Sequence, residues 1–488
     1  RKSRNMELSC FEDKEFYNRY TLAIDGAGEK LGQTVSNIWG ILFGIIAAIA
    51  AFSTMYQIDP LAMLFVVFPI IGNFVFNNKL QQIDYARNKE INPHNRKVEY
   101  VNRVMYLSDY AKEIRLTNVF ALMKRQYHQA IDGMFEVTKK YKVIGVIFHW
   151  FRVTFTFSLI FEGVLLYGAY RTIVSKSMTL AELAVLSTVM VSSTWILIGF
   201  ADSLVASFRN GLFIENLRSF LQYTPAIPED YDGIDPSNEI ESLEFRNVSF
   251  SYKNEEIIHN MSFIIKGSLS YAMVGHNGAG KSTIIKLMMR LYDPNEGKIL
   301  LNGRNIKDYN LAKYRALFST AFQDYKIFAL SVKDNVLMGT QGDEKVAIDA
   351  LKKSGVYDKV ISLPKGIHTI LTKEFDEEGV VLSGGEYQKI VVARAFAKDV
   401  PIKLLDEPSS ALDPIAEYEL FKNIMKDSKD KTMLFISHRL SSVQNADWVF
   451  MIEKGKIIEE GTHELLIQKN GVYAKMYQKQ AENYLVGE

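Results

Sequence analysis

Residues 271–283 read Tyr-Ala-Met-Val-Gly-His-Asn-Gly-Ala-Gly-Lys-Ser-Thr, an apolar run followed by the pattern G-x-x-x-x-G-K-[ST]. Glycines let the backbone of such a loop curl until successive N–H groups and a helix N-terminus point at one anion. The lysine adds a mobile positive charge, and the hydroxyl that follows it is a ligand for Mg²⁺. The stretch therefore predicts a site for a nucleoside triphosphate. The alternative is a glycine-rich turn between a strand and a helix that binds nothing.

The composition indicates more than one folding unit, because 488 residues are too many for a single compact core. The 57 Lys and Arg side chains nearly balance the 56 Asp and Glu side chains, for a formal net charge of +1. This balance argues against nucleic acid as a partner. A single cysteine, Cys10, excludes an internal disulfide framework and is consistent with soluble parts in a reducing cytosol.

Four apolar runs in the first half are each close to the length that crosses a bilayer. A helix needs about 20 apolar residues to span about 30 Å of hydrocarbon. The alternative, buried helices of a large soluble protein, seldom gives four runs of this length. We therefore predict membrane spans over residues 38–56, 60–76, 143–174 and 183–205.

The distribution of basic residues predicts the orientation of these spans. The segment from Lys79 to Lys142 contains thirteen Lys and Arg side chains, counting both ends, whereas the turn 57–59 has none. By the positive-inside rule the segment between the second and third spans is cytoplasmic. Apolar residues at positions 100, 104, 107, 111 and 114 predict an amphipathic helix within it. Pro93 either starts a helix there or kinks a continuous one.

The pattern changes after the last apolar run. Prolines and acidic residues interrupt all periodicity over residues 223–240, which is typical of a linker. Beyond it, short β-rich runs alternate with helical stretches, as in a soluble α/β domain. We therefore predict a transmembrane domain over residues 1–222, the linker, and a nucleotide-binding domain over residues 241–488.

A second chemical motif follows the first in the α/β half. The stretch Ile402-Lys403-Leu404-Leu405-Asp406-Glu407 predicts a strand that ends in two carboxylates. Asp406 would hold Mg²⁺ through water, and Glu407 would orient or deprotonate the attacking water. Lys403 departs from the apolar pattern of a sheet covered on both faces. We expect it at the start of the strand, where its stem can snorkel to solvent.

A third motif carries a resemblance to a known family. Leu382-Ser383-Gly384-Gly385-Glu386 resembles the signature of the ABC transporter ATPases, with Glu386 where the family usually has Gln. A serine and two glycines that open a helix form a second anion cradle. The resemblance implies that this cradle closes over ATP held by the P-loop of a second subunit. The P-loop residues assigned to ATP are Gly275, Asn277, Gly278, Gly280, Lys281, Ser282 and Thr283.

Other positions resemble the family in order and approximate spacing. Tyr252 matches the aromatic residue that stacks on adenine, and Gln323 matches the residue that touches Mg²⁺ and senses the membrane domain. Ser410 and Asp413 resemble the D-loop, and His438 resembles the switch histidine at the γ-phosphate. The resemblance thus implies catalytic roles for Glu407, His438 and Gln323, and a Mg²⁺ site at Ser282, Gln323 and Asp406.

The resemblance extends to the first half, in the arrangement of a bacterial half-exporter. Residues 110–116 look like the second coupling helix, with Lys112, Glu113 and Arg115, and residues 11–24 would supply the first. The family has six membrane helices per subunit, so we expect the first two to be absent from this sequence or to precede it. The implied fold is an all-α transmembrane bundle of exporter type followed by an α/β P-loop ABC ATPase domain.

Four ionisable residues lie in or beside the apolar runs. His149, Arg152 and Asp202 lie near predicted helix ends, where long side chains easily reach the interface. Glu162 lies near the middle of its run. Because charge within a bilayer is costly, we expect Glu162 to face the bundle interior or a water-filled cavity.

The expected function is ATP-driven export across the bacterial cytoplasmic membrane by alternating access, with ATP and Mg²⁺ as cofactors. The partner is a second half-transporter: intact motifs favour a homodimer, and a heterodimer stays open. Residues 373–376 resemble the corresponding stretch of exporters of lantibiotics and related peptides. Multidrug or lipid export is the alternative function. Two other classes fit part of the pattern. A soluble ABC-type ATPase of DNA repair or translation would lack the spans, and a nucleotide-gated channel would not pump.

Overall fold

The structure is a computed structural model that describes residues 2–13, 16, 20, 24, 27–107, 110–253, 255–340 and 342–485. The chain divides into two compact units, Asn18–Gln222 and Arg1–Tyr17 together with Tyr223–Glu488. The described residues 2–13 and 16 group with the second unit, whereas the predicted transmembrane domain begins at residue 1. The reason lies in helix α1 (Leu8–Glu12) and the residue before it. Tyr223 donates a hydrogen bond of 2.7 Å to Glu7 and accepts one of 3.3 Å from Cys10.

Long helices build the first unit, as the apolar runs predict. Two described segments, Gly28–Ile58 and Leu180–Ser207, are long and apolar enough by themselves to cross a membrane. The predicted span 60–76 comprises a 3₁₀ turn and the start of a helix that continues into charged sequence. The predicted span 143–174 lies in a helical segment that contains two π-helical stretches. The elements are α2 (Ala27–Ile58), a 3₁₀ turn (Pro60–Met63), α3 (Leu64–Tyr106), α4 (Ala111–Leu116), α5 (Val119–Phe157), a π-helix (Ser158–Gly163), α6 (Val164–Ala169), a second π-helix (Tyr170–Val174) and α7 (Leu180–Gln222).

Two details of this unit bear on the sequence expectations: one decides between two alternatives, and the other contradicts a prediction. Helix α3 runs unbroken through Pro93, so no new helix starts there. The single amphipathic helix predicted over residues 100–114 is wrong, because α3 ends at Tyr106 and α4 begins at Ala111. The chain has to reverse here, since α5 returns antiparallel beside α3. The expected first coupling helix over residues 11–24 lies largely outside the described residues.

The turn after α2 is held by buried polar contacts. Asp59 is 3% exposed, and the Tyr167 hydroxyl donates a hydrogen bond of 2.7 Å to its Oδ2. Arg171 Nη2 lies 3.3 Å from the same oxygen. A buried carboxylate is tolerated where such partners replace its lost hydration. This turn is therefore joined to the far end of the helical segment 119–174.

Two sheets form the centre of the second unit. Within the described residues, one sheet has the order β2-β1-β4-β5 and is antiparallel; the other has the order β10-β9-β3-β8-β7-β6. In the second sheet, β9, β3, β8, β7 and β6 are parallel, and β10 is antiparallel to β9. The strands are β1 (Ser242–Tyr252), β2 (Glu255–Lys266), β3 (Ser270–Gly275), β4 (Glu296–Leu301), β5 (Arg304–Asn305), β6 (Phe318–Ala321), β7 (Ile402–Asp406), β8 (Thr432–Ile436), β9 (Trp448–Glu453) and β10 (Lys456–Gly461).

Helices cover the mostly parallel sheet, which is why its inner strands are apolar and wholly buried. Short 3₁₀ turns lie at Lys2–Asn5, Ile306–Asp308 and Gly366–His368. The helices are α8 (Lys281–Met288), α9 (Leu311–Ala316), α10 (Val332–Leu337), α11 (Glu344–Lys353), α12 (Tyr357–Ile361), α13 (Gly384–Ala397), α14 (Pro414–Asp427), α15 (Leu440–Val443), α16 (His463–Gln468) and α17 (Val472–Leu485).

The lysine in β7 does not snorkel, so that expectation is wrong. Lys403 is 1% exposed and forms an ion pair with Asp427 at the end of α14. Its Nζ also lies 5.4 Å from the ring centre of Phe396. Burial lowers the pKa of Lys403, and the hydrogen bond to Asp427 opposes that shift. A buried partner thus takes the place of solvent.

The residues predicted as a linker pack on the second unit. Ile234 donates a backbone hydrogen bond of 3.0 Å to Asp308 and accepts one of 2.9 Å from Asn310. Glu229 forms an ion pair with Arg315 of α9. The segment 223–240 is therefore attached to the α/β unit along much of its length.

Candidate active site

The predicted functional residues of the second unit gather at one edge of the parallel sheet. β3 leads into the P-loop, β6 leads to Gln323, β7 to Glu407, and β8 to His438. Because these strands are parallel, their carboxyl ends lie at the same edge. Open α/β sheets bind ligands at this edge.

The backbone of the P-loop requires glycine at its first and last turn positions. Gly275 has φ +152°, and a Cβ there would lie 2.1 Å from the carbonyl oxygen of Ile452. Gly280 has φ +98°, and a Cβ there would lie 2.7 Å from Cδ1 of Ile258. Only glycine reaches such a conformation without strain. The loop ends at Lys281, the first residue of α8, so the amide groups of a helix N-terminus face the loop.

Lys281 is held against the loop that precedes it. The side chain is 6% exposed, and Nζ donates hydrogen bonds of 2.8 Å to the Gly275 carbonyl and 2.9 Å to the His276 carbonyl. Burial lowers the pKa of Lys281, while the charges of Glu407 and Asp406 act to raise it. The arrangement places one ammonium group next to two carboxylates.

Asp406 and Ser282 form a donor set that fits Mg²⁺. Asp406 is 4% exposed; burial raises the pKa of its carboxyl, and a hydrogen bond with Ser282 opposes the shift. Its Oδ1 is buried and has no hydrogen-bond partner among the described residues. Buried polar atoms in native proteins are nearly always satisfied. A carboxylate oxygen that lacks a partner beside a hydroxyl matches the oxygen ligands that Mg²⁺ prefers.

Glu407 lies between two predicted partners. Gln323 Nε2 donates a hydrogen bond of 2.8 Å to Glu407 Oε2, and His438 Nε2 lies 2.6 Å from Oε1. The backbone of Glu407 has φ +49°, an uncommon conformation for a residue other than glycine. Such residues persist only where their surroundings hold them, and they concentrate at functional sites. The structure thus brings together the three residues predicted to be catalytic.

Gln388 is a residue of this site that the sequence motifs did not identify. It is 3% exposed, and its Nε2 donates to the Glu407 carbonyl at 2.8 Å and to Ser410 Oγ at 2.9 Å. Its Oε1 accepts from the Ala411 N–H at 2.7 Å. One signal was present in the sequence: Gln388 shares a helical face with the apolar Val391 and Ala395, at spacings of three and four.

The signature residues open helix α13. Ser383 is the N-cap: its N–H donates to Glu386 Oε2 at 2.8 Å, and its Oγ accepts from the Glu386 N–H at 3.4 Å. This reciprocal pair is a capping box, which a glutamate completes as well as a glutamine. Burial acts to raise the pKa of Glu386, but hydrogen bonds from Ser383 and Lys359 outweigh it and lower the pKa. Leu382 is buried, and a Cβ on Gly385 would lie 3.0 Å from the Ala411 carbonyl oxygen.

The two D-loop residues have different surroundings. Ser410 accepts the hydrogen bond from Gln388. Asp413 is the N-cap of α14, where its Oδ1 accepts from the N–H groups of Ile415 at 3.0 Å and Ala416 at 2.9 Å. These backbone donors lower the pKa of Asp413. In the structure, Asp413 thus stabilises a helix start.

Tyr252 lies on the wall of a cavity of about 750 Å³ that Thr283 also lines. Its ring packs edge-on against Phe250 and Tyr292, with centres 4.9 Å and 5.2 Å away. Lys286 Nζ lies 5.7 Å from the ring centre. The predicted adenine-stacking residue therefore stands next to the helix that follows the P-loop.

The remaining predicted residues belong to the first unit. Lys112, Glu113 and Arg115 are exposed on the short helix α4, and Arg115 donates to the Ala111 carbonyl at 3.0 Å. Glu162 lies in the π-helix Ser158–Gly163, and its side chain is exposed in the single chain. That Glu162 faces a water-filled cavity stays a prediction.

Known proteins that are similar in sequence and in structure agree with this geometry. Residues 258–410 match the family model described as ABC transporter. The chain is similar over 98% of its length to the solved structure of a bacterial Atm1-family ABC exporter with ATP bound. The TM-score is 0.84 at 22% identity, and 83% of that chain is covered. This likeness confirms the predicted fold class, a helical membrane domain followed by an ABC ATPase domain.

Three curated relatives differ in how much of the chain they match. The subtilin transport ATP-binding protein SpaT of Bacillus subtilis is 29% identical over 99% of this chain and 79% of its own length. An ATP-dependent lipid A-core flippase of Syntrophus aciditrophicus is 36% identical over 55% of the chain. A putative multidrug export ATP-binding/permease protein of Staphylococcus aureus is 40% identical over 51% of it. The chain covers 44% of the length of each of these last two relatives.

Proposed function

We propose that the chain is one subunit of a dimeric ABC exporter that uses ATP hydrolysis to move a substrate out of the cell. The observation that carries the proposal is the placement of Glu407 between Gln323 and His438 at the P-loop edge of the sheet. A carboxylate held at both oxygens beside a phosphate cradle is suited to orient a water molecule for in-line attack. The apolar helices of the first unit supply the membrane passage.

In this proposal the P-loop amides and Lys281 bind the phosphates, and Tyr252 contacts the adenine. Mg²⁺, held by Ser282 and Asp406, would neutralise charge on the β- and γ-phosphates. Glu407 accepts the proton of the attacking water, and His438 fixes the side chain from its other oxygen. The side-chain amide of Gln323, which donates a hydrogen bond to Glu407 in the structure, would also contact the Mg²⁺ ion. These roles rest on the contacts described above and on the family resemblance.

The signature cradle supports a dimer. Among the hydrogen bonds of the described residues, none joins residues 382–386 to the P-loop of the same chain. We infer that Ser383 and Gly385 contact ATP bound by a second subunit. ATP would then hold two nucleotide-binding domains together, and hydrolysis would release them. The complete motif set favours two identical subunits, and pairing with a different half-transporter is the alternative.

The exposed helix α4 is the proposed coupling element. Its side chains Lys112, Glu113 and Arg115 are exposed to solvent, and Leu116 is 84% exposed. Motion of the ATPase domains would pass through this helix to the membrane helices. The cavity between those helices would then open alternately to the cytoplasm and to the outside. The nucleotide-binding domain would lie in the cytoplasm, on the side of the basic segment 79–142.

A peptide is the substrate class that the comparisons favour. The subtilin transporter matches 99% of the chain, including its membrane helices, whereas the flippase and the multidrug protein match little more than half. Substrate selection belongs to the membrane part of an exporter, so likeness in that part carries the argument. Lipid or multidrug export is the second candidate.

The test is Glu407→Gln in the intact protein reconstituted in lipid vesicles. Loss of the base should lower ATP hydrolysis by about 10²-fold or more while ATP binding persists. The matched control is Glu419→Gln, an exposed glutamate of α14. Hydrolysis at the wild-type rate in Glu407→Gln would overturn the catalytic assignment.

Transport is tested in the same vesicles with a cationic peptide and a lipophilic dye. Export predicts ATP-dependent accumulation of the peptide in the wild type and none in Glu407→Gln. Equal flux of either solute without ATP would identify a channel instead. Accumulation of the dye alone would move the proposal to the multidrug alternative.

A further inference from the structure

A polar cavity of about 470 Å³ lies between α3 and α5 within the first unit. Four of the side chains that line it are basic or can become so: Arg87, Lys142, His149 and Arg152. Asp84 is the acidic residue in its lining. None of these residues belongs to the proposed ATPase site or to the coupling helix. We refer to the cavity and these five side chains as the basic groove.

The charges of the basic groove are not balanced. Asp84 Oδ1 lies 3.0 Å from Arg87 Nη2 and so compensates one cation. Within the described residues, neither Lys142 nor Arg152 forms an ion pair with a carboxylate. Two basic side chains therefore line the cavity without an ion-pair partner among the described residues, and Asn77 of the same lining donates a hydrogen bond of 3.2 Å to Asp202. Such a site attracts an anion, and the planar guanidinium of arginine matches the oxygens of a phosphate.

The neighbours of the groove on each side indicate its depth in the membrane. On one side the Lys140 and Tyr141 side chains donate hydrogen bonds of 2.8 Å and 2.7 Å to Glu90. On the other side Phe76 packs against Phe148, Phe151 and Phe155, with ring centres 6.1 Å to 6.3 Å apart. The groove thus lies where polar contacts give way to aromatic and apolar ones. This is the position of lipid headgroups beside a membrane helix.

Exposed apolar side chains continue from the groove along α5. Val146, Ile147 and Trp150 are 58%, 48% and 59% exposed, and Val146 lines the groove itself. A free phosphate ion would form no favourable contact with this apolar surface. Acyl chains attached to a bound phosphate would cover it, which favours a lipid over a soluble anion.

We propose that the basic groove binds the phosphate headgroup of an anionic phospholipid of the cytoplasmic leaflet. Arg152 and Lys142 contact the phosphate, and the acyl chains lie along Val146 and Trp150. Basic cavities between membrane helices on the cytoplasmic side are suited to anionic headgroups. This inference adds a lipid site to the proposed exporter and rests on its membrane placement, but not on its substrate or its hydrolysis mechanism.

The test counts phosphatidylglycerol molecules retained by the intact protein in native mass spectrometry, after reconstitution in phosphatidylcholine with added phosphatidylglycerol. Lys142→Gln with Arg152→Gln should weaken retention about thirtyfold, roughly fivefold for each cation removed. The charge-matched control is Lys124→Gln with Lys139→Gln, two exposed lysines of α5 outside the groove. Equal retention in the two double variants would overturn the proposal, as would full displacement of phosphatidylglycerol by millimolar inorganic phosphate.

A second measurement leaves the basic side chains unchanged. Dibrominated phosphatidylglycerol should quench tryptophan fluorescence more strongly than dibrominated phosphatidylcholine, and Trp150→Phe should remove the difference. Equal quenching by the two lipids in the wild type would overturn the proposal. ATP hydrolysis in pure phosphatidylcholine, compared between the wild type and the groove variant, separates this result from failure of the exporter proposal. The two rates should agree.

Discussion

The side-chain amide of Gln388 donates a hydrogen bond of 2.8 Å to the main-chain carbonyl of Glu407. This contact links the helix that begins at the signature to the residue that follows β7. Glu407 has a left-handed backbone, φ +49°, and its carbonyl direction is therefore set by the groups that bond it. We therefore expect Gln388 to be a positioning residue that acts through the backbone of Glu407.

Gln388→Ala should lower the kcat of ATP hydrolysis by about 10- to 100-fold, because a small misplacement of a reacting group is costly. The KM for ATP should change little, since the P-loop is untouched. The measurement is steady-state hydrolysis with Gln468→Ala, an exposed glutamine of α16, as control. A rise in KM at constant kcat would show that Gln388 acts on binding instead.

Lys281→Ala should strongly weaken ATP binding. The ammonium is buried beside Glu407 and Asp406, so its loss leaves two carboxylates without a compensating cation at the phosphate site. The lost charged hydrogen bonds predict at least a tenfold weaker affinity for ATP, at about 1.5–3 kcal/mol each. The check is equilibrium binding of a fluorescent ATP analogue, with the exposed Lys298→Ala as control. Unchanged affinity in Lys281→Ala would refute the P-loop assignment.

The sequence predicted those parts of the site whose chemistry depends on local spacing. The P-loop, the strand that ends at Asp406 and the signature are each short, and each forms one turn, one strand or one helix start. The convergence of the P-loop and the end of β7 also follows from sequence, because parallel strands place their carboxyl ends at one edge. The fold class was predicted for the same reason: the apolar runs and the α/β alternation are local patterns.

Contacts between distant segments could not be predicted in this way. Lys403 forms an ion pair with Asp427, a residue 24 positions later at the end of a helix, and no feature of the strand sequence indicates that partner. Asp59 meets Tyr167 across more than a hundred residues. Gln388 resembles any polar residue on a helix until the backbone of Glu407 is placed beside it. In each case the missing information is a tertiary neighbour that compensates a buried polar group.

The buried pair of Lys403 and Asp427 predicts a strong effect on stability. Asp427→Asn leaves the lysine charge buried without a full partner, which should cost about 3–5 kcal/mol, whereas Lys403→Met with Asp427→Leu should be nearly neutral. Hydrogen exchange of the β7 amides in the intact protein measures this locally. Equal protection in Asp427→Asn and the wild type would contradict the prediction. Asp430→Asn, in the loop after α14, is the control.

Glu386 predicts an acid-sensitive helix start. Its pKa is lowered in the folded protein, so the folded state binds fewer protons than the unfolded state near the ordinary glutamate pKa of about 4.3. Its stabilising contribution is present above that pH and is lost as the pH falls through the lowered pKa. Because the side chain is 28% exposed and solvent screens part of the interaction, the loss should be about 0.5 kcal/mol.

Hydrogen exchange of residues 384–388 between pH 6 and pH 3 tests this expectation. In the wild type, the protection of these amides should fall as the pH is lowered, and it should fall by more than the protection of the protein as a whole. Glu386→Gln keeps an oxygen that accepts the Ser383 N–H but does not titrate, so its protection should depend less on pH. Identical pH profiles for the two proteins would show that the carboxylate does not contribute, and Glu419→Gln serves as the control.

The contacts of Asp59 with Tyr167 and Arg171 hold one end of the long helices of the first unit together, so a separation of these helices is expected to begin at the other end. They join the turn between α2 and α3 to the end of the segment 119–174, so these rods share a pivot at that turn. Helix α3 has 43 residues and extends about 65 Å from the pivot. A scissor rotation of about 10° there would sweep the far end of α3 through about 11 Å, given that length. A lever of this kind converts a small angle at one end into a wide displacement at the other.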